Sequence, residues 1–292
     1  MKTIDLSEPS REAFKKNLTF KSDYLFKYCL VGSDAKTKKI RHSLISMITG
    51  LKVIDSTVLN PELVPDHDST KGMFLDVLVR TQDNAIVKIE MQNSTLDNRA
   101  SSKSLAYLSR LYASQIIGEE PEDFFYTHQI LFVNGKADKM AKMVSHMKFQ
   151  DEDGNKMSDK VEAYIVFLPY INEIMKTKTI DELTCEEAIY YLFENGISDG
   201  TIELGRKYEE VAIFMEKKTA FALDDEEVVK AMIRQHHLEM EWARLQDAKE
   251  AGEEKSIKLM SLLIADGLMD DLQKMAADKV LRQKLYEEYE IE

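Results

Sequence analysis

Several things are scarce in this sequence, and each scarcity removes a class of protein. Only two cysteines, Cys29 and Cys185, occur in 292 residues, and they share no motif. A disulfide framework and a cysteine-based metal cluster are therefore not what holds the fold. With 11 glycines, 5 prolines and 31% charged residues, the chain is neither fibrous nor of low complexity. Long hydrophobic runs are missing too. The longest, Ala163–Ile171, is broken by Pro169 and falls far short of the roughly 20 apolar residues a membrane span needs. The first residues, MKTIDLSEPSREAF, lack the apolar core of a secretion signal. No GxxxxGK[ST], GxSxG or CxxC pattern gives a nucleotide-loop, serine-hydrolase or redox reading an anchor. The expectation is a reduced, cytoplasmic protein with no membrane partner.

What is present is a core-sized share of apolar residues, 44%, enough for one large domain or two smaller ones. Acid outweighs base, giving a net charge of −13, which on an even surface would repel nucleic acid. The charge is not even. Residues 1–60 carry 11 basic and 6 acidic side chains, and residues 61–118 carry 6 and 7. Residues 119–200 carry 8 and 17, and residues 201–292 carry 14 and 22. The first 118 residues are slightly basic, and the whole deficit lies after them.

The hydrophobic pattern predicts a mixed α/β region followed by helices. Phe20–Leu30 reads as a short amphipathic helix, and Thr37–Thr49 as a second that stops at Gly50. Ser56–Lys71, with Pro61 and Pro65, reads as loop. Met73–Arg80 and Ile86–Gln92 are β-rich around the turn residues Thr81–Ala85, which predicts a hairpin. Ala100–Ile117 reads as a helix with a core stripe of Leu105, Leu108, Tyr112 and Ile116. Tyr126–Asn134 and Val161–Leu168 read as central strands. Beyond Ile180 the text is helical, acidic and rich in methionine. The expected division is an α/β domain over 15–200 and a helical domain over 201–292. The C-terminal helices are read as a bundle or a surface for association with a second copy, because the heptad is not kept.

The hairpin carries the candidate chemistry. Phosphodiester hydrolysis calls for carboxylates that hold a divalent cation such as Mg²⁺, an ion that takes oxygen ligands. Asp76 on the first strand and Glu90 on the second form such a pair if they share a face, and Gln92 lies on Glu90's face. They share it when paired residue numbers sum to 166, as a three- or five-residue loop gives. A two-residue loop would set Asp76 opposite Met91 and part the acids. Without the pair, the segment is an ordinary half-buried hairpin with a polar outer face. On the following helix, Arg99, Lys103, Tyr107, Arg110 and Ser114 fall in one arc suited to a phosphate backbone, or else form a solvated face.

Taken in order, Ser22-Asp23-Tyr24-Leu25-Phe26-Lys27, Lys71-x₄-Asp76, Ile89-Glu90-Met91-Gln92 and Arg99-x₇-Tyr107 resemble the PD-(D/E)XK nuclease family transposases, the recombination-promoting nucleases. The resemblance spans roughly residues 18–170 and continues more loosely to Lys258–Gly267. It implies a restriction-endonuclease-like mixed sheet flanked by helices, and a Mg²⁺-dependent DNA endonuclease associated with mobile elements. By resemblance, Asp76 and Glu90 are metal ligands, Gln92 stands where the wider superfamily has lysine, and Asp23 completes the catalytic set. Lys27, Lys71, Arg99, Lys103, Tyr107 and Arg110 are the DNA-binding candidates. The sequence departs in two places: no proline precedes Asp76, and Gln92 cannot supply a positive charge. An amide there orients water by hydrogen bonding. The alternative is a DNA-binding or regulatory protein that keeps the fold without turnover.

Other signals are weaker. Asp151–Asn155 has its glycine at the fourth position, not the sixth of a calcium loop, and reads as a hairpin turn. Asp66-His67-Asp68 reads as solvated loop, and His236-His237 as exposed helix.

Overall fold

The computed structural model describes residues 4–59, 62–63, 73–74, 77–115, 125–135, 142–265, 271, 274–275, 278–289 and 291. Contacts divide the chain into two compact units, one of Ser7–Val228 and one of Met1–Leu6 with Val229–Glu292.

In the larger unit, three helices come first: α1 (Glu8–Asn17), α2 (Asp23–Val31) and α3 (Ala35–Thr49). Asp34 caps α3, accepting from the backbone N–H of Thr37 at 3.0 Å, and its carboxylate pairs with Lys217 at 2.7 Å. The helix stops at Gly50, whose φ of 76° is the left-handed conformation that glycine adopts without penalty. Strands β1 (Ser56–Val58), β2 (Glu62–Leu63) and β3 (Met73–Phe74) follow. The segment expected to be loop from Ser56 to Lys71 therefore contains two short strands. Each is too brief to leave a periodic signature.

The main sheet has six strands in the order β1-β4-β5-β6-β8-β7. It adds β4 (Val77–Thr81), β5 (Ile86–Gln92), β6 (Thr127–Val133), β7 (Val144–Gln150) and β8 (Lys156–Phe167). Helix α4 (Asn98–Ala113) joins β5 to β6, which pair in parallel. A parallel pair needs such a crossover, whereas the antiparallel neighbours β4/β5 and β7/β8 are hairpins. β6 is buried along its whole length, as a central strand covered on both faces should be. β7 is mostly exposed and carries register shifts at Lys148–Gln150. Irregular pairing and charge are how edge strands resist pairing with another chain. The turn between β7 and β8 is the Asp151–Asn155 segment: Asn155 N–H donates to Asp151 Oδ1 at 2.7 Å, and Gly154 sits at φ 85°.

One face of the sheet lies under α2, α3, α6 (Cys185–Asn195) and α8 (Glu209–Leu223), the last two flanking α7 (Asp199–Lys207). The short helix α5 (Ile171–Ile174) leads into this group. Phe132 of β6 meets Phe26, Tyr190 and Phe193 with ring centroids 5.7, 6.1 and 5.6 Å apart. Among the described residues the opposite face lies under α4, with Leu96 and Tyr170 packed on Leu131, Val133 and Phe167 at its end.

The second unit contains most of α9 (Asp225–Ala265) and α10 (Lys279–Glu288). Leu259, Leu263, Met275, Leu285 and Ile291 form its own small core. Among the described residues, no helix is long and apolar enough to cross a membrane.

Candidate active site

The β4–β5 hairpin sets the site's register. Thr81 N–H donates to Ala85 O at 2.9 Å and Asn84 N–H to Thr81 O at 3.0 Å, with Asn84 at φ 61°. This is a three-residue loop closed by a residue in the left-handed region, which asparagine tolerates better than most. The pairs Arg80–Ile86, Val79–Val87, Leu78–Lys88 and Val77–Ile89 follow. Their numbers sum to 166, the register of a three- or five-residue loop and not that of a two-residue one. Asp76 and Lys71 lie outside the described residues.

Alternation along β5 then sorts its side chains. Val87, Ile89 and Met91 enter the aromatic side of the sheet, while Lys88, Glu90 and Gln92 point to the side of α4. Glu90 keeps 18% of its side chain exposed; Lys88, two residues earlier, has none exposed. The Lys88 ammonium is ion-paired with Glu90 Oε2. Among the described residues neither of these buried atoms makes an aligned hydrogen bond. Charge attraction, not hydrogen-bond geometry, is what joins them. Gln92 donates through Nε2 to Ser94 Oγ, and its backbone carbonyl accepts from Asn134 N–H at 2.8 Å.

Helix α4 roofs this row. Lys88 Nζ lies 5.2 Å from the centroid of the Tyr107 ring, and Lys103 Nζ lies 5.4 Å from the same centroid. The aromatic ring thus lies within reach of two ammonium groups, an attractive arrangement for its π-face. Tyr107 also packs on Leu78, Ile86 and Leu111. Further along, Gln129 of β6 donates to Ser104. Arg99 and Lys103 are exposed, and Arg110 is half-buried. The core stripe of α4 differs from the sequence expectation: Leu108 and Leu111 are buried, and Leu105 is 56% exposed. The reason is partial coverage. Beside Leu105 a cavity of about 140 Å³ opens between α4 and the sheet, with Leu131, Met147 and Ile165 on its walls.

The start of α2 reaches the same end of the sheet. Asn93, directly after β5, donates through Nδ2 to Lys21 O at 2.6 Å. Lys21 Nζ in turn bonds Asn134 Oδ1 at 3.0 Å and Glu194 at 3.2 Å. Gly135 permits the close approach of strand ends there, since a Cβ would stand 2.8 Å from the Thr95 backbone. Asp23 opens α2 and is ion-paired at 3.0 Å with Lys27, one turn on. Two candidates assigned separate roles from sequence, an acid and a DNA-binding base, are therefore partners of each other.

The donors on β5 are of the right chemistry for a hard cation: a carboxylate, an amide carbonyl, and no sulfur or imidazole. The carboxylate already takes a positive charge from Lys88. Among the described residues, no group of three or more His, Cys, Asp and Glu side chains could hold a metal ion.

Two other features stand apart. An open cleft of about 910 Å³ runs along α3, with Ser43, Cys185, Tyr208 and Glu210 on its walls. It is larger than the cavity beside Leu105, but its chemistry is weaker. Burial and the neighbouring Glu210 push the Cys185 thiol up to about 12, so it is no nucleophile near neutrality. On the aromatic face, His128 is buried with both ring nitrogens unpartnered among the described residues. Burial pushes its pKa down, which Glu162 opposes and His146 reinforces.

Lys88 is the residue that sequence reasoning passed over. Its place on the Glu90 face was legible from the period of two, but its burial depends on Tyr107, 19 positions away on another element.

The sequence profile of the PD-(D/E)XK nuclease family transposases matches residues 20–248. No curated protein and no solved structure matches the chain. The profile takes in the hairpin, α4, the central strands and the helices packed behind them, and on that match the chain belongs to the PD-(D/E)XK nuclease family transposases.

Proposed function

We infer that the protein is a metal-dependent DNA endonuclease acting at the polar face of the β4–β5 hairpin. The observation that carries this reading is the register summing to 166, with Glu90 and Gln92 on the face roofed by the basic arc of α4. Asp76 immediately precedes Val77, the residue paired with Ile89. Asp76 and Glu90 are proposed to hold Mg²⁺ between them. When bound, the ion supplies polarisation of a phosphoryl oxygen and an acidified water. Gln92 would orient that water through its amide. Arg99, Lys103 and Arg110, with Lys71, would grip the phosphate backbone, and Tyr107 would offer an aromatic edge beside it. Asp23 and Lys27, already paired, would fix the α2 side of the site. Residues 15–200 would contain the nuclease chemistry. The helical region over 201–292 would serve association with a second copy, and its acidic surface would face away from DNA.

Plasmid nicking with Mg²⁺ and with EDTA tests the reading. Wild type should nick only with the ion, and Asp76→Ala should lose nicking while keeping the wild-type circular dichroism spectrum. Equal cleavage by the two proteins would overturn the metal site. Salt-dependent DNA binding without cleavage under any divalent ion would replace the enzyme with a regulatory DNA-binding protein.

A further inference from the structure

The Lys88–Glu90 pair bears on how the ion would be held. A lysine with none of its side chain exposed is costly unless its charge is met, and here a single carboxylate oxygen meets it. Buried ion pairs contribute little net stability over apolar packing. Leu or Met at position 88 would fill the space beneath Tyr107 without any charge to compensate. The charge is also not spent on a hydrogen-bond network, since Nζ and Oε2 are without aligned bonds among the described residues. Besides its contact with the Tyr107 ring, its charge falls on Glu90. The buried Oε2 is occupied, and Oε1 is the oxygen left for a ligand.

We propose that Lys88 is a positioning residue, a resident counter-charge that fixes Glu90 through Oε2 and shares this carboxylate with the divalent ion. This rests on the reading of Glu90 as a metal ligand. Two consequences follow from Coulomb's law. A fixed ammonium on the same carboxylate repels an arriving divalent cation, so Lys88 weakens ion binding. The same contact restrains the carboxylate's rotation, so Lys88 raises turnover once the ion is bound. It also supplies, from two residues before Glu90, the positive charge that the Gln92 amide lacks.

The test measures Mn²⁺ affinity by electron paramagnetic resonance on the full chain, alongside nicking at saturating Mn²⁺. Lys88→Met and Lys88→Gln remove the charge, and circular dichroism checks their folding. The expected result is Mn²⁺ binding at least tenfold tighter than wild type, with the saturated rate at least tenfold lower. A residue needed only for the fold would not tighten ion binding. Affinity that stays unchanged or weakens in both variants would overturn the assignment, as would loss of folding in both. If wild type binds Mn²⁺ and Glu90→Gln abolishes it, the metal site stands whatever Lys88 does. If Glu90→Gln binds as wild type does, the metal-site reading and this proposal fail together.

Discussion

One face of the central sheet is closed by four helices and a cluster of aromatic rings; on the other, among the described residues, α4 lies over a row of polar side chains. Both faces arise from the same strands. On β5, consecutive residues alternate between them, so Ile89 and Glu90 are neighbours in sequence and belong to different environments. The contrast teaches where stability and chemistry reside. Apolar burial on the closed face supplies the folding free energy, and this lets the other face carry a buried ammonium, a half-open carboxylate and a loosely roofed cavity.

The largest expected effect is on the closed face. Phe132→Ala removes a ring that touches three others and should cost about 3–5 kcal/mol, read as a shift of the urea midpoint. The polar face should respond next, and asymmetrically. Glu90→Gln strands the Lys88 ammonium in the interior and should cost roughly 3 kcal/mol, whereas Lys88→Met leaves Glu90 with access to water and should cost about 1 kcal/mol or less. Equal costs in urea unfolding would show that Lys88 is not the buried partner.

A pH effect separates the faces further. Burial lowers the pKa of His128, so the unfolded chain binds its proton first as the pH falls through about 6.5. The stability it confers is complete above that pH. Below it, stability is lost at up to about 1.4 kcal/mol per pH unit until the folded-state pKa is passed. His128→Phe should flatten thermal stability between pH 7.5 and 5.5. The smallest effect is expected under α4, where Leu105→Gln at an exposed position should change stability by about 0.5 kcal/mol or less.

Much of this was legible in the sequence, and the limits have physical causes. The hairpin and the shared face of Glu90 and Gln92 follow from turn residues and the period of two, both local properties. The register stood open between two loop lengths until the strand pairing decided it. The central strands were visible because Thr127–Val133 and the end of β8 are apolar enough for two-sided burial. β7 was missed because Val144–Gln150 is an edge strand, mostly exposed, with too weak an alternation to stand out. The α4 stripe was placed at Leu105 because periodicity fixes a helix's apolar arc but not which part of it a neighbour covers. Lys88 and the Asp23–Lys27 pair were missed for another reason: charged residues were assigned outward roles, while the structure pairs each acid with a base two or four residues away on the same element. The sequence pattern places the domain boundary near residue 200. The contacts carry the compact unit through Val228, because α8 packs on α2 and α3.

The central claim is that the polar face holds a divalent ion on Glu90 and Asp76, and anomalous diffraction from crystals grown with Mn²⁺ tests it most directly. The account predicts a single strong peak about 2.2 Å from a carboxylate oxygen of each residue. Crystals that show no peak there, with Glu90 still bound only to Lys88, would contradict it.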